Sequence, residues 1–350
     1  MHKKTPHFSA VFFCASSGTD ERWIDFLLIL AAFFKEGSIE VKSKATGHIA
    51  TAAAYAIFGL NIIFCKDIAD SDVISPIALF SVRAIGAAVL FWLISLFVPR
   101  EKVPPADLLR IAAASFIGFF ITQYTFLEGM TMVTTIDAAV LGTLGPIFTM
   151  IFAFFFLKEP ITFKKASGVA LSFAGVLFLI FNSVHSGGAS SSTVGGILLL
   201  LFNSLSFALY LALFRPLIER YSVITFMKWI FLFALLMSLP FSAKGLLAVD
   251  FASIPSSLAL EIGYLVFFAT FVAYFLIPIG QKHLRPTLVS LYAYLQPVIA
   301  AAVSIAYGLD TLSWQKIVAT ILIVVGVILV SFSRAASSAS ASTSGGDLRV

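Results

Sequence analysis

From Gly47 onward the chain is a succession of apolar runs, broken by short segments that hold most of its charge. Each run is about the 20 residues a helix needs to cross the hydrocarbon of a bilayer. Ten such runs are predicted as spans: Gly47–Phe64, Pro76–Val98, Leu108–Leu127, Ala138–Leu157, Lys165–Phe181, Gly195–Phe214, Val223–Phe241, Leu258–Gly280, Leu288–Tyr307 and Lys316–Phe332. Lipid offers no partner to a bare backbone, and the runs are too long and continuous for barrel strands, so each reads as a helix. The connections are short, which makes neighbouring helices antiparallel and leaves little mass outside the membrane.

Composition agrees. Of 350 residues, 59% are hydrophobic and 12% charged, and mean hydropathy is +1.00. Soluble domains carry about 25% charged residues. A soluble enzyme, a nucleic-acid binder and a disordered chain are excluded, and the fold class expected is an all-α polytopic membrane protein. The charges sort by side. With the N-terminus inside, the cytoplasmic segments hold Lys42, Lys44, Arg100, Lys102, Arg110, Lys158, Lys164, Lys165, Arg215, Arg220, Lys282, Arg285 and Arg334. The opposite side holds Lys66, Lys244 and Lys316. That bias predicts cytoplasmic termini and explains the pI of 9.1 without a nucleic-acid site.

The ends read as peripheral. Residues 1–45 contain one apolar run, Ile24–Phe34, too short to span and followed by Lys35 and Glu36 instead of a small-residue cleavage site. An interfacial helix and a translation start nearer Val41 both fit it. Residues 334–350 are rich in Ala, Ser, Thr and Gly and read as a disordered tail. Cys14 and Cys65 are the only cysteines, so no disulfide framework or paired-cysteine metal site is expected.

The second half repeats the first. A displacement of 151 residues sets Pro146 on Pro297, Glu159 on Asp310, Phe163 on Trp314 and Gly175 on Gly326. A displacement of 149 sets Gly59 on Ala208, Asn61 on Tyr210 and Lys66 on Arg215. Five spans per half is an odd number, so the second copy enters from the opposite face: an inverted repeat, an architecture of secondary transporters. The halves are expected at residues 46–182 and 194–333. The segment Leu144-Gly145-Pro146 through Phe156-Leu157-Lys158-Glu159-Pro160, with Gly168 and Gly175, resembles the EamA-type transporters of the drug/metabolite transporter superfamily. Tyr294-Leu295-Gln296-Pro297 through Gly308-Leu309-Asp310, with Gly326, resembles the second EamA repeat, although Asp310 stands where glutamate is more usual. The resemblance implies a ten-helix carrier of a bacterial-type inner membrane. It implies a central cavity between the repeats and export of amino acids, related metabolites or drugs.

A substrate site needs polar groups at mid-membrane depth on several helices. Asn203, Ser206 and Tyr210 share one helical stripe, and Tyr292 with Gln296 and Thr270 with Tyr274 are spaced one turn apart. Gln123, Tyr124, Tyr55 and Asn61 complete the candidate substrate-binding set. The competing reading is helix-to-helix hydrogen bonding. Arg83 is the one cation well inside a span, able to bind a substrate carboxylate or phosphate, or to gate against Glu128 or Asp137. Lys228 is a weak counterpart. Pro146 and Pro297 are candidate hinges, each expected to free a carbonyl one turn earlier. Gly168, Ser172 and Gly175 read as a packing face.

Two other classes compete: an intramembrane enzyme, with Asp67, Asp70 and Asp72 as a cation site, and a channel. The acids lie in one short loop without a partner cluster and read as solvated, and HExxH and GxSxG motifs are absent. Neither a cofactor nor a metal is expected. The expected partners are a small-molecule substrate and the bilayer. Proton coupling stays open, because Glu128, Asp137, Glu261 and Asp310 all fall near the outer face and show no buried relay.

Overall fold

The computed structural model describes residues 44–133, 138, 141–184, 193–306 and 314–331. The Ile24–Phe34 run, the tail, Asp137 and Asp310 lie outside them. The described residues are helical, without strands. In chain order the helices are α1 (Lys44–Ser71), α2 (Pro76–Ser95), α3 (Pro105–Ser115), α4 (Thr122–Met132), α5 (Gly145–Leu157), α6 (Phe163–Val184) and α7 (Val194–Leu213). They continue as α8 (Arg215–Arg220), α9 (Val223–Ala248), α10 (Ser256–Tyr264), α11 (Ala273–His283), α12 (Pro286–Leu291), α13 (Leu295–Ala306) and α14 (Trp314–Ser331).

Among the described residues, six helical stretches are long and apolar enough to cross a membrane: Lys44–Ser71, Pro76–Ser95, Pro105–Met132, Val194–Leu213, Val223–Ala248 and Ser256–His283. Gly145–Leu157 and Thr320–Val330 are apolar but shorter. The length criterion is thus met by six of the ten predicted spans. Several boundaries also move. The first span runs on through Asp67 and Asp70 to Ser71, because Lys66 and Asp70 pair one turn apart at 2.6 Å and carry the helix into the polar region. Those two acids are therefore helical, and the acidic loop expected there shrinks to Asp72.

Two of the long stretches contain a wide turn. Between α3 and α4, Phe116–Ile121 is π-helical, and so is Leu265–Val272 between α10 and α11. A π turn leaves carbonyls without their usual α-helical donors. In both places a threonine hydroxyl supplies the bond: Thr122 donates to the Ile117 carbonyl at 2.9 Å and Thr270 to the Leu265 carbonyl at 2.6 Å. Each reaches back five residues. The two halves thus share a local irregularity at corresponding places.

Packing follows the same correspondence. Helix α1 packs on α11 as α7 packs on α4, and α1 meets α13 as α7 meets α5. Helix α2 lies on the second π segment as α9 lies on the first, while α2 with α9 and α6 with α14 form the self-paired contacts. Exchanging the halves maps this contact set onto itself. Small residues allow the closest approaches. A Cβ added at Gly168 would stand 2.8 Å from the Gly326 carbonyl and 2.6 Å from Val330, so α6 and α14 meet backbone to backbone. Ser172 donates to the Ile323 carbonyl in the same seam. Between α2 and α9, Ser81 bonds Ser238 at 2.9 Å and Ser242 at 2.7 Å, and Phe91 stacks on Phe231. Residues from both halves fill this core.

Candidate functional site

A cavity with an empty volume of about 860 Å³, part of it open to solvent, lies between the halves. Tyr55 and Asn61 of α1, Gln123 of α4, Asn203 of α7, Tyr274 of α11 and Gln296 of α13 all line it, with Pro146 at the start of α5. Phe58, Phe126 and Phe207 supply apolar wall. No ionisable carboxylate or basic side chain lines it among the described residues.

Its polar groups are held from behind. Asn203 donates through Nδ2 to the Thr122 carbonyl at 2.7 Å, at the exit of the first π segment. Gln123 donates through Nε2 to the Tyr274 hydroxyl, which ties the first half to the second across the cavity wall. The Gln123 Oε1 is then left buried with no donor. A buried acceptor without a partner costs roughly 1–3 kcal/mol, which a bound donor would recover.

Five of the expected site residues lie elsewhere. On α7 the cavity side is the face bearing Leu200, Asn203, Ser204, Phe207 and Leu211. At 3.6 residues per turn, Ser206 and Tyr210 fall on the adjoining stripe, with Asn203 at the shared edge. Tyr210 instead fills the space left by Gly118, where a Cβ would collide with its ring, and packs edge-on to Phe119. Tyr124 is 37% exposed and stacks on Phe120 at the bundle surface. Thr270 belongs to the second π segment. Tyr292 sits at the end where α1 begins, its hydroxyl 2.6 Å from Nδ1 of His48.

The charged candidates also differ from expectation. Arg83 is 1% exposed; its Nε donates to Thr270 Oγ1 at 2.8 Å and its Nη1 reaches Cys65 Sγ at 3.8 Å. It makes no ion pair with Glu128 among the described residues, because Glu128 lies partly exposed near the far end of α4. Lys228 is no buried counterpart: it lies over the Trp92 ring, 5.2 Å from its centroid. Pro146 and Pro297 sit in the first turns of α5 and α13, where a missing N–H is tolerated. The helical irregularity lies just before Pro297, as a single 3₁₀ turn over Tyr292–Tyr294. Pro240 and Pro278, not singled out in the sequence, lie inside α9 and α11.

Two ion-pair clusters close the end of the bundle where α1 begins: one on Glu159, whose place just past a span end suits pairing with Lys or Arg across the bundle, and one on Asp107, not singled out in the sequence. Glu159 receives Lys165 at 2.6 Å, stands 3.7 Å from Arg215 of the second half, and accepts from Thr287 at 3.3 Å. Asp107 accepts from Arg220 at 2.7 Å and from the Tyr221 hydroxyl at 2.6 Å. Donation to Asp107 raises the Tyr221 phenol above its usual range. Their sequence signal was present but masked: these cations all belong to the basic loops that topology alone already explained.

This is a helical bundle of two corresponding halves around a neutral, partly aromatic cavity, with spans fit for a membrane. The chain belongs to the EamA-like transporter family, which matches residues 45–181 and 194–332. It is 27% identical over 281 residues to an uncharacterized transporter, YetK, of Bacillus subtilis (strain 168), covering 77% of this chain and 82% of that one. It is 28% identical over 278 residues to an uncharacterized inner membrane transporter, YedA, of Escherichia coli (strain K12), covering 74% and 82%. A solved crystal structure shares the fold with a TM-score of 0.67 at 15% identity, covering 83% of this chain and 98% of that chain.

Proposed function

We propose that this transporter moves amino acids or related small metabolites or drugs out of the cell by alternating access. In this reading ten spans form two inverted five-helix halves in a bacterial-type inner (plasma) membrane, with both termini cytoplasmic. The observation that carries it is the cavity: polar side chains from α1, α4, α7, α11 and α13 converge on one space to which both halves contribute. In an inverted repeat such a space is where rocking one half against the other exposes a site to each side in turn. Its neutral amide and phenol lining suits zwitterionic, aromatic or amphipathic solutes. The loop-charge bias supports the orientation, and export follows from the family resemblance.

The ion-pair clusters around Glu159 and Asp107 then lie at the cytoplasmic end and hold it shut, while Pro146 and Pro297 start the helices that would pivot. Counterflow tests the reading: purified protein in liposomes, loaded with one unlabelled amino acid, should accumulate its labelled form across a panel that includes aromatic amino acids. Failure of the whole panel and of cationic dyes would refute it. Labelling of a cysteine placed within residues 185–192 only from the inside would refute the orientation.

A further inference from the structure

Two buried charges near the other end of the bundle serve neither the cavity nor the ion-pair clusters. Glu261 of α10 is 3% exposed, and both of its side-chain oxygens are buried without a donor. It belongs to none of the ion pairs among the described residues. Its neighbour is another acid, Asp67, from the last turns of α1, the helix on which α10 packs. Two carboxylates are acceptors only. Such a contact holds together when one oxygen carries a proton, and repels when neither does.

The groups around the pair offer no substitute. On α1, Lys66 is engaged with Asp70 and the Met130 carbonyl, and the Cys65 thiol with Asn61. On α10, the Tyr264 hydroxyl donates to the Ile57 carbonyl. From α2, Arg83 contacts Cys65, which lies within electrostatic range of Glu261. One Arg83 nitrogen, Nη2, is buried with no acceptor. A donor without an acceptor and an acceptor without a donor are therefore both buried in this end of the bundle.

We propose that Asp67 and Glu261 form a proton-binding site shared by the two halves, with Arg83 as the counter-charge that engages Glu261 when the proton leaves. The proton-driven part of this rests on the transporter reading; the proton site itself does not. Only an O–H bond is made or broken. The proton enters from water past half-buried Asp67, sits between the two carboxyls, and returns to water on release. Once it has left, the two negative charges repel, and Arg83 Nη2 is the free donor at hand. Turning Arg83 toward Glu261 loosens its bond to Thr270, one helical turn from Tyr274, whose hydroxyl is held by Gln123 in the cavity wall. Occupancy of the proton site and shape of the cavity are thereby linked.

Infrared difference spectroscopy on the detergent-purified full chain tests the site without any substrate. At about pH 7 an isolated carboxyl, with a pKa of about 4, is ionised. The wild type should still show a protonated-carboxyl C=O band there, shifted in D₂O, and Glu261→Gln and Asp67→Asn should each remove it. Asp72→Asn, just beyond α1, should keep it. The idea is overturned if the wild type lacks the band, which needs no variant to fold, or if the band survives in either variant. In liposomes, an inward proton gradient should change by at least about tenfold the accumulation of whichever labelled amino acid the counterflow panel identifies. No response to the gradient overturns the coupling, whereas a panel without any counterflow overturns the transporter reading and leaves the carboxyl band to be judged separately.

Discussion

The two ends of the bundle treat their charges in opposite ways. Where α1 begins, Glu159 has Lys165 and Arg215 as opposite charges and Thr287 as a donor, although its Oε1 accepts no hydrogen bond, and Asp107 has Arg110, Arg220 and Tyr221. Toward the far end, Glu261 faces an acid and Arg83 keeps a nitrogen without an acceptor. A buried charge with opposite charges beside it resists rearrangement, because breaking one contact strands the others. A buried charge lacking partners gains from any change that supplies one. The first end is built to stay as it is, and the second to respond.

The sharpest way to break that contrast is to remove a partner at the satisfied end. Glu159→Ala would leave Lys165, whose side chain is 3% exposed, as a lone buried cation. Loss of about 3–5 kcal/mol is expected, read as a lower melting temperature in detergent. The double change Glu159→Gln with Lys165→Met should recover most of it; equal stability of the single and double variants would show the cluster to be loosely held. Next in size, Gly326→Val forces α14 off α6, where Gly168 and Ser172 leave no room, and should cost about 1–3 kcal/mol in the same assay. An unchanged melting temperature would mean that the seam gives way.

Smaller still are the cavity changes. Gln296→Ala and Asn61→Ala should lower substrate affinity in counterflow about tenfold, roughly 1.4 kcal/mol, while melting stays near wild type. Wild-type affinity in both would place the site outside this cavity. The least effect is expected where the sequence and the structure part company. Ser206→Ala and Tyr124→Phe should transport as the wild type does. Tyr210→Phe should be neutral or slightly stabilising, because it removes a buried hydroxyl that lacks a partner. A tenfold loss of transport in Ser206→Ala would return that stripe to the site.

These differences show what a sequence can express here. Hydropathy located the six long apolar stretches because each run must satisfy lipid along its whole length, and the repeat emerged from residues that recur in order, such as Pro146 with Pro297. Six of the eleven substrate-binding candidates line the cavity. Helix rotation was harder: Asn203, Ser206 and Tyr210 share a stripe, and only the glycine at position 118 decides that the tyrosine ring turns toward α3 and α4. Glu261 looked peripheral because depth was counted along the chain, whereas α10 packs on α1 and leaves the side chain 3% exposed. Pairings such as Glu159 with Arg215 join residues on different halves, and no local pattern announces them.

The wide turns at Phe116–Ile121 and Leu265–Val272 bear on the history of the chain. A π turn accommodates an extra residue within a helix and disturbs everything downstream in register. Two unrelated insertions would have no reason to fall at corresponding positions, each followed by an eleven-residue helix and each relieved by a threonine reaching back five residues. The simplest descent has one ancestral gene for a single repeat that already carried the irregular turn, was copied head to tail, and then diverged. Arg83 settling on Thr270, and Asn203 on the Thr122 carbonyl, are what each copy later made of the same inherited defect.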